Sequence, residues 1–191
     1  MLESFPPRDD ADAKAWFYLD RRRDIEEWAG LRSDAAELFD RYLIALAPDF
    51  ERLADEFDAE YDTWVNDGAK FRWLGLRRAS WKDFGLDTAT IGLQWYPDKL
   101  FQPANDNEWP FLGVYLEAQS QDDQRRRTVA KELEDVRSTL SGKASRNWPF
   151  WRYIRPAAGT ESVDPGGLAH SGLQEFRNLW AAAAPILDAH R

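Results

Sequence analysis

On either side of Gly68 the apolar residues keep two different periods, and this switch constrains the fold more than any other feature. Before it, Leu31, Ala35, Leu38, Tyr42, Ala45 and Leu46 recur at helical spacing. Phe50, Leu53, Phe57, Tyr61 and Val65 continue in steps of three and four. Pro48 separates these two helices, because proline lacks the amide and crowds the preceding turn. Asp49 is the expected N-cap of the second helix and Asn66-Asp67-Gly68 its stop. The acidic-led segment Asp24–Gly30 extends the helical region upstream, and Pro6-Pro7 with Asp9-Asp10 reads as a loose lead-in.

After Gly68 the beat becomes two. Lys70–Arg77 alternates, and Ile91, Leu93 and Trp95 alternate with Gly92, Gln94 and Tyr96. Phe111–Glu117 is a continuous apolar run, the pattern of a strand covered on both faces. Modest connections, including the Pro/Asn/Asp loop Pro97–Pro110, predict an antiparallel meander. Ser120-Gln121-Asp122-Asp123 is a capping signature for a helix over Asp122–Ser141, with a stripe of Val129, Leu133, Val136 and Leu140 and a stop at Gly142. Trp148–Arg155, held between Pro149 and Pro156, suits an edge strand. A loop over Ala157–Ala169 precedes a last helix over Ser171–Ala184, capped by Ser171 and Gln174 and kinked or ended by Pro185.

These elements predict a single α+β domain. Residues 1–68 form a helical N-terminal subdomain; residues 69–191 form a three- or four-stranded, mainly antiparallel sheet with two covering helices. Phe71, Ile91, Val114 and Ile154 are the strand residues expected under those helices.

Composition narrows the functional classes. The 191 residues contain no cysteine, which removes disulfides and thiolate-bound metals. His170 and His190 fall in an expected loop and near the end, so no His-rich metal site and no cofactor is expected. The stretch Met1–Pro7 lacks a basic and then apolar pattern, and no apolar run reaches the ~20 residues of a bilayer span. A soluble, cytoplasmic protein with no membrane partner is therefore expected. A net charge of −9 disfavours nucleic acid as a partner.

Four constellations are candidates for function. Pro97-Asp98 followed by Glu117-Ala118-Gln119 echoes the spacing by which nucleases hold a divalent metal with two carboxylates and orient a water with a third polar group. Turn chemistry accounts for Pro97-Asp98 better. Asp49–Asp67 carries eight carboxylates, including Asp55, Glu56, Asp58, Glu60 and Asp62, against the single base Arg52, a local charge of −7. Such a surface is a solvated face or a dock for a basic protein. Arg21-Arg22-Arg23, Arg77-Arg78 and Arg125-Arg126-Arg127 are short basic clusters best read as internal ion-pair partners of the carboxylates. Among Trp81, Trp95, Trp109, Trp148 and Trp151, alternation puts Trp95 in the core. Trp109 and Trp148, each followed by proline, suit a surface edge that could anchor a partner.

From Phe111 to about Leu187 the pieces Val114-Tyr115-Leu116-Glu117, Lys131–Leu140, Gly142, Trp148, Trp151-Arg152-Tyr153-Ile154 and Leu179-Trp180 form a pattern. It resembles an uncharacterised bacterial domain sometimes appended to restriction-endonuclease-like proteins. The resemblance implies a similar α+β layout and a setting in DNA-related or defence systems, and it carries over no catalytic residue.

The resulting expectation is a non-catalytic interaction or accessory domain. Its protein partner, basic in character, would meet the acidic segment or the Trp109/Trp148 edge. The alternatives are a metal-dependent nuclease using Asp98, Glu117 and Gln119, and an aromatic-mediated binder of a small ligand or nucleic acid.

Overall fold

The computed structural model describes residues 12–66, 68–84, 89–102, 107–116, 123–157, 160 and 162–190. Internal packing divides the chain into two compact units, Met1–Ala35 and Ala36–Arg191. In the first, helix α1 (Ala13–Ile44) presents Phe17, Leu19, Trp28 and Leu31 to solvent. All that follows concerns the second unit.

The two helices part at Ala45-Leu46, just ahead of Pro48, and α2 (Ala47–Glu56) carries Pro48 in its first turn. Proline suits the first turn because its missing amide would have no partner there. Leu46, not Asp49, holds the cap position, and Asp49 lies in the first turn beside Arg52. The helix also ends earlier than its apolar spacing predicts. Asp58 adopts φ 51°, the Ala59 amide bonds back to the Ala54 carbonyl at 2.9 Å, and the Asp58 amide to Asp55 at 3.4 Å. This left-handed closure ends α2 ten residues before the expected stop. Tyr61 therefore lies not on a helix but on a fifth strand, β1 (Glu60–Trp64).

The sheet then runs as a meander of β1, β2 (Arg72–Arg77), β3 (Ala89–Trp95), β4 (Phe111–Leu116) and β5 (Phe150–Tyr153). All four neighbouring pairs are antiparallel and spatial order follows chain order. β5 takes the expected edge, where Lys143 bridges to Trp151. Helices α3 (Asp123–Glu132) and α4 (Glu134–Thr139) divide the expected single helix at Leu133, and α4 closes through Ser141 at φ 54° with the Gly142 amide on the Arg137 carbonyl. The last helix, α5 (Pro165–Ala189), is longer than its reading on both sides. Pro165 starts it inside the expected loop, so His170 is helical. Pro185 sits within it on the solvent side while Ala183, Ala184 and Leu187 are buried around it.

One face of the sheet is the core. Leu74, Leu76, Ile91, Leu93, Trp95, Leu112, Val114, Leu116, Phe150 and Ile154 point into it, under Phe50 and Leu53 of α2, Val129, Leu133 and Val136 of α3–α4, and Phe176, Leu179 and Trp180 of α5. The opposite parity carries Phe71 away from this core, and the residue is 37% exposed. Part-buried polar groups tie α5 to the segment after β2. The Trp81 indole donates to Asp188 at 2.9 Å, with Arg78 on the same carboxylate. No helix among the described residues is long and apolar enough to cross a membrane.

Candidate functional site

The second face of the sheet is organised by register. One row across the strands reads Asp62, Gly75, Gly92, Gly113 and Trp151. The adjoining row reads Trp64, Trp73, Gln94, Phe111 and Tyr153. Side chains on alternate residues share a face, so a lane of three glycines between Asp62 and Trp151 runs beside a row in which four of five side chains are rings. The Trp73 indole folds over into the glycine lane. A Cβ at Gly92 would stand 2.4 Å from Trp73 Cζ2 and one at Gly75 would stand 2.7 Å from Trp73 Cε2. Trp148, just before β5, does the same at Gly113, where a Cβ would meet its Cε3 at 2.7 Å. The two indoles thus lie against the strand backbone with centroids 5.8 Å apart. The Trp73 N–H donates to Asp62 Oδ2 at 3.2 Å.

Around these rings opens a cleft of ≈ 480 Å³, whose aromatic walls are Trp64, Phe71, Trp73, Tyr115 and Trp148. Asp62, Thr63, Thr90 and Gln94 add the polar groups. This is the size and character of a binding site, apolar with few polar groups. Trp64 is 55% exposed at the rim, and Phe71 lies 6.1 Å from it by ring centroid. A smaller hollow of ≈ 200 Å³, bounded by Tyr96, Phe111, Trp151 and Tyr153, lies on the other side of Trp148. Gln94 donates to the Tyr96 hydroxyl at 2.9 Å, and burial holds the Tyr96 phenol above its usual pKa while Gln94 pulls it down.

The sequence-based candidates scatter relative to this cleft. Trp148 and Asp62 belong to it. Trp109 does not: it is half-buried, edge-on to Phe101 at 5.3 Å, with its N–H on Glu108. The acidic segment is split by the turn at Asp58. Asp55 and Glu56 end α2, with Glu56 paired to Arg177 at 2.6 Å. Glu60 shares β1 with Asp62 and holds Arg77 at 3.1 Å. Asp98 is exposed in the short turn Pro97–Lys99, beyond the end of the β3–β4 hairpin where Gln94 faces Phe111. Glu117 and Gln119 lie outside the described residues. The strand that precedes them ends at Leu116, opposite Ala89 at the hairpin's other end. Among the described residues no three His, Cys, Asp or Glu side chains are grouped to hold a metal. His190 meets Glu132 at 2.7 Å.

Sequence reasoning missed the glycine lane, Trp64, Phe71 and Trp73. The signal was present: RWLGLR, ATIGLQW and FLGVYL each carry a glycine inside a strand. A glycine there marks the close approach of another group. Comparison with known proteins matches this chain to no family model, no curated protein and no solved structure.

Proposed function

We propose that this chain is a non-catalytic interaction domain that engages a protein partner through the aromatic face of its sheet. One observation carries the reading: five aromatic side chains converge on one cleft on the face of the sheet opposite the core that α2, α3–α4 and α5 cover. A protein that needed these rings only for its core would place them under α2 and α5. Tryptophan and tyrosine in partly desolvated pockets are the usual anchors of protein interfaces. The acidic segment plays a supporting part, since its Asp62 reaches the cleft while Asp55 and Glu56 stay on α2.

Panning a display library of short peptides against the folded chain tests this. Selected peptides should lose on the order of tenfold or more in affinity when Trp64→Ala or Trp148→Ala is introduced, as for central interface anchors. A panel of binders indifferent to both substitutions would refute the reading.

A further inference from the structure

The aromatic cleft carries a charge as well as rings. Resting on the interaction reading above, we propose that the cleft seats a cationic side chain of the partner, a lysine ammonium or an arginine guanidinium, between the rings and Asp62.

Charge decides what fits. Among the described residues that line the cleft, Asp62 is the one formally charged group and none is a lysine or arginine. An anionic ligand would leave its charge without a counterion against ring faces that are themselves electron-rich. A cation meets the opposite situation: ring faces attract it, and its methylene stem covers the apolar wall while its head reaches the carboxylate. The neighbouring rings on this face already behave in this way toward the chain's own cations. Lys99 Nζ stands 4.7 Å from the Tyr96 ring centroid and Lys143 Nζ 5.3 Å from that of Trp151. Glu60, two residues from Asp62 on β1, is balanced by Arg77, so Asp62 is the local charge and the net charge of −9 supplies the wider negative field. A basic partner is drawn in and a phosphate backbone is repelled.

The probes are blocked pentapeptides with arginine, lysine, citrulline or norleucine at the centre. Each is titrated against the nitrogen-15-labelled full chain at low salt. The indole N–H signals of Trp73 and Trp148, assigned through Trp73→Phe and Trp148→Phe, report the cleft. The arginine and lysine peptides should shift both signals and bind on the order of tenfold tighter than their neutral counterparts. Asp62→Asn should erase most of that advantage, and because its amide oxygen can still accept the Trp73 N–H, the fold should survive. Asp55→Asn, away from the cleft, should leave the preference intact. Equal binding of the citrulline and arginine peptides would overturn the cation while leaving the interaction reading standing. Failure of all four peptides to move either indole at millimolar concentration would overturn both. A single-stranded oligothymidine that moves the indoles more than the basic peptides do would also overturn both, assigning the face to nucleic acid.

Discussion

The indole N–H of Trp95 donates to the carboxylate of Asp40 at 2.7 Å, joining the last strand residue of β3 to α1 at a point where both side chains are buried. Arg72 Nε lies 3.2 Å from the same Asp40 oxygen, and its guanidinium donates to the Val65 carbonyl at 2.8 Å. One carboxylate thus serves an arginine from β2 and a tryptophan from β3. Asp40→Ala removes the buried carboxylate that the Arg72 guanidinium and the Trp95 indole share and should cost about 3–5 kcal/mol. The urea midpoint measures this. Asp40→Asn, which can still accept the indole N–H, should cost less.

Gly92→Ala should destabilise the protein although it adds one methyl group to a strand. The new Cβ would meet Trp73 Cζ2 at 2.4 Å and the Leu74 carbonyl at 2.7 Å, and the second of these is backbone. Overpacking of this kind costs about 1–3 kcal/mol. The near-ultraviolet circular dichroism should change with it, because Trp73 must leave its place over the sheet.

Asp58→Gly should stabilise. Asp58 holds φ 51° to close α2, a conformation that burdens any residue with a Cβ. Glycine adopts it freely, and the expected gain is about 0.5–1 kcal/mol after the extra freedom of the unfolded glycine is counted. An unchanged or lowered denaturation midpoint would show that the aspartate side chain is itself needed at the turn.

Glu175 predicts a pH dependence. Burial raises its carboxyl pKa, while Arg152 at 2.7 Å pulls it down. The folded protein therefore keeps this proton to higher pH than the unfolded chain does. The stability linked to it is complete below the ordinary glutamate value and is lost as pH rises through the folded value. Glu175→Gln removes the titration. Urea unfolding at a series of pH values should show the wild type losing stability relative to the variant as pH climbs through that window.

Leu133→Ala should cost about 2–5 kcal/mol, because Leu133 is fully buried at the junction of α3 and α4. The position also shows what the sequence made legible. Steps of four and three through Val129, Leu133 and Val136 placed the buried side of this region correctly, and the two-residue beat of Ile91, Leu93 and Trp95 placed β3 with its core parity. Burial leaves a periodic mark whenever a whole face repeats. The failures share a cause in tertiary context. Phe57 and Tyr61 keep a helical interval although the chain turns at Asp58 and re-enters as β1, because both positions meet the same core from different elements. Pro185 interrupts a pattern that buried neighbours on either side hold helical.

The candidate site was half legible for a related reason. Trp148 and Asp62 stood out by residue type, and Trp73 did not, since an alternating strand leaves open which parity meets the helices. Only the pairing of β2 with β3 and of β3 with β4 aligns Gly75, Gly92 and Gly113, which are separate in the chain.

That alignment has a consequence for how this surface can be mapped. Truncating side chains one at a time finds residues that matter by what they contribute. Gly75, Gly92 and Gly113 contribute vacancy, the bed in which two indoles rest. They are invisible to subtraction, and their weight will register only when something is added.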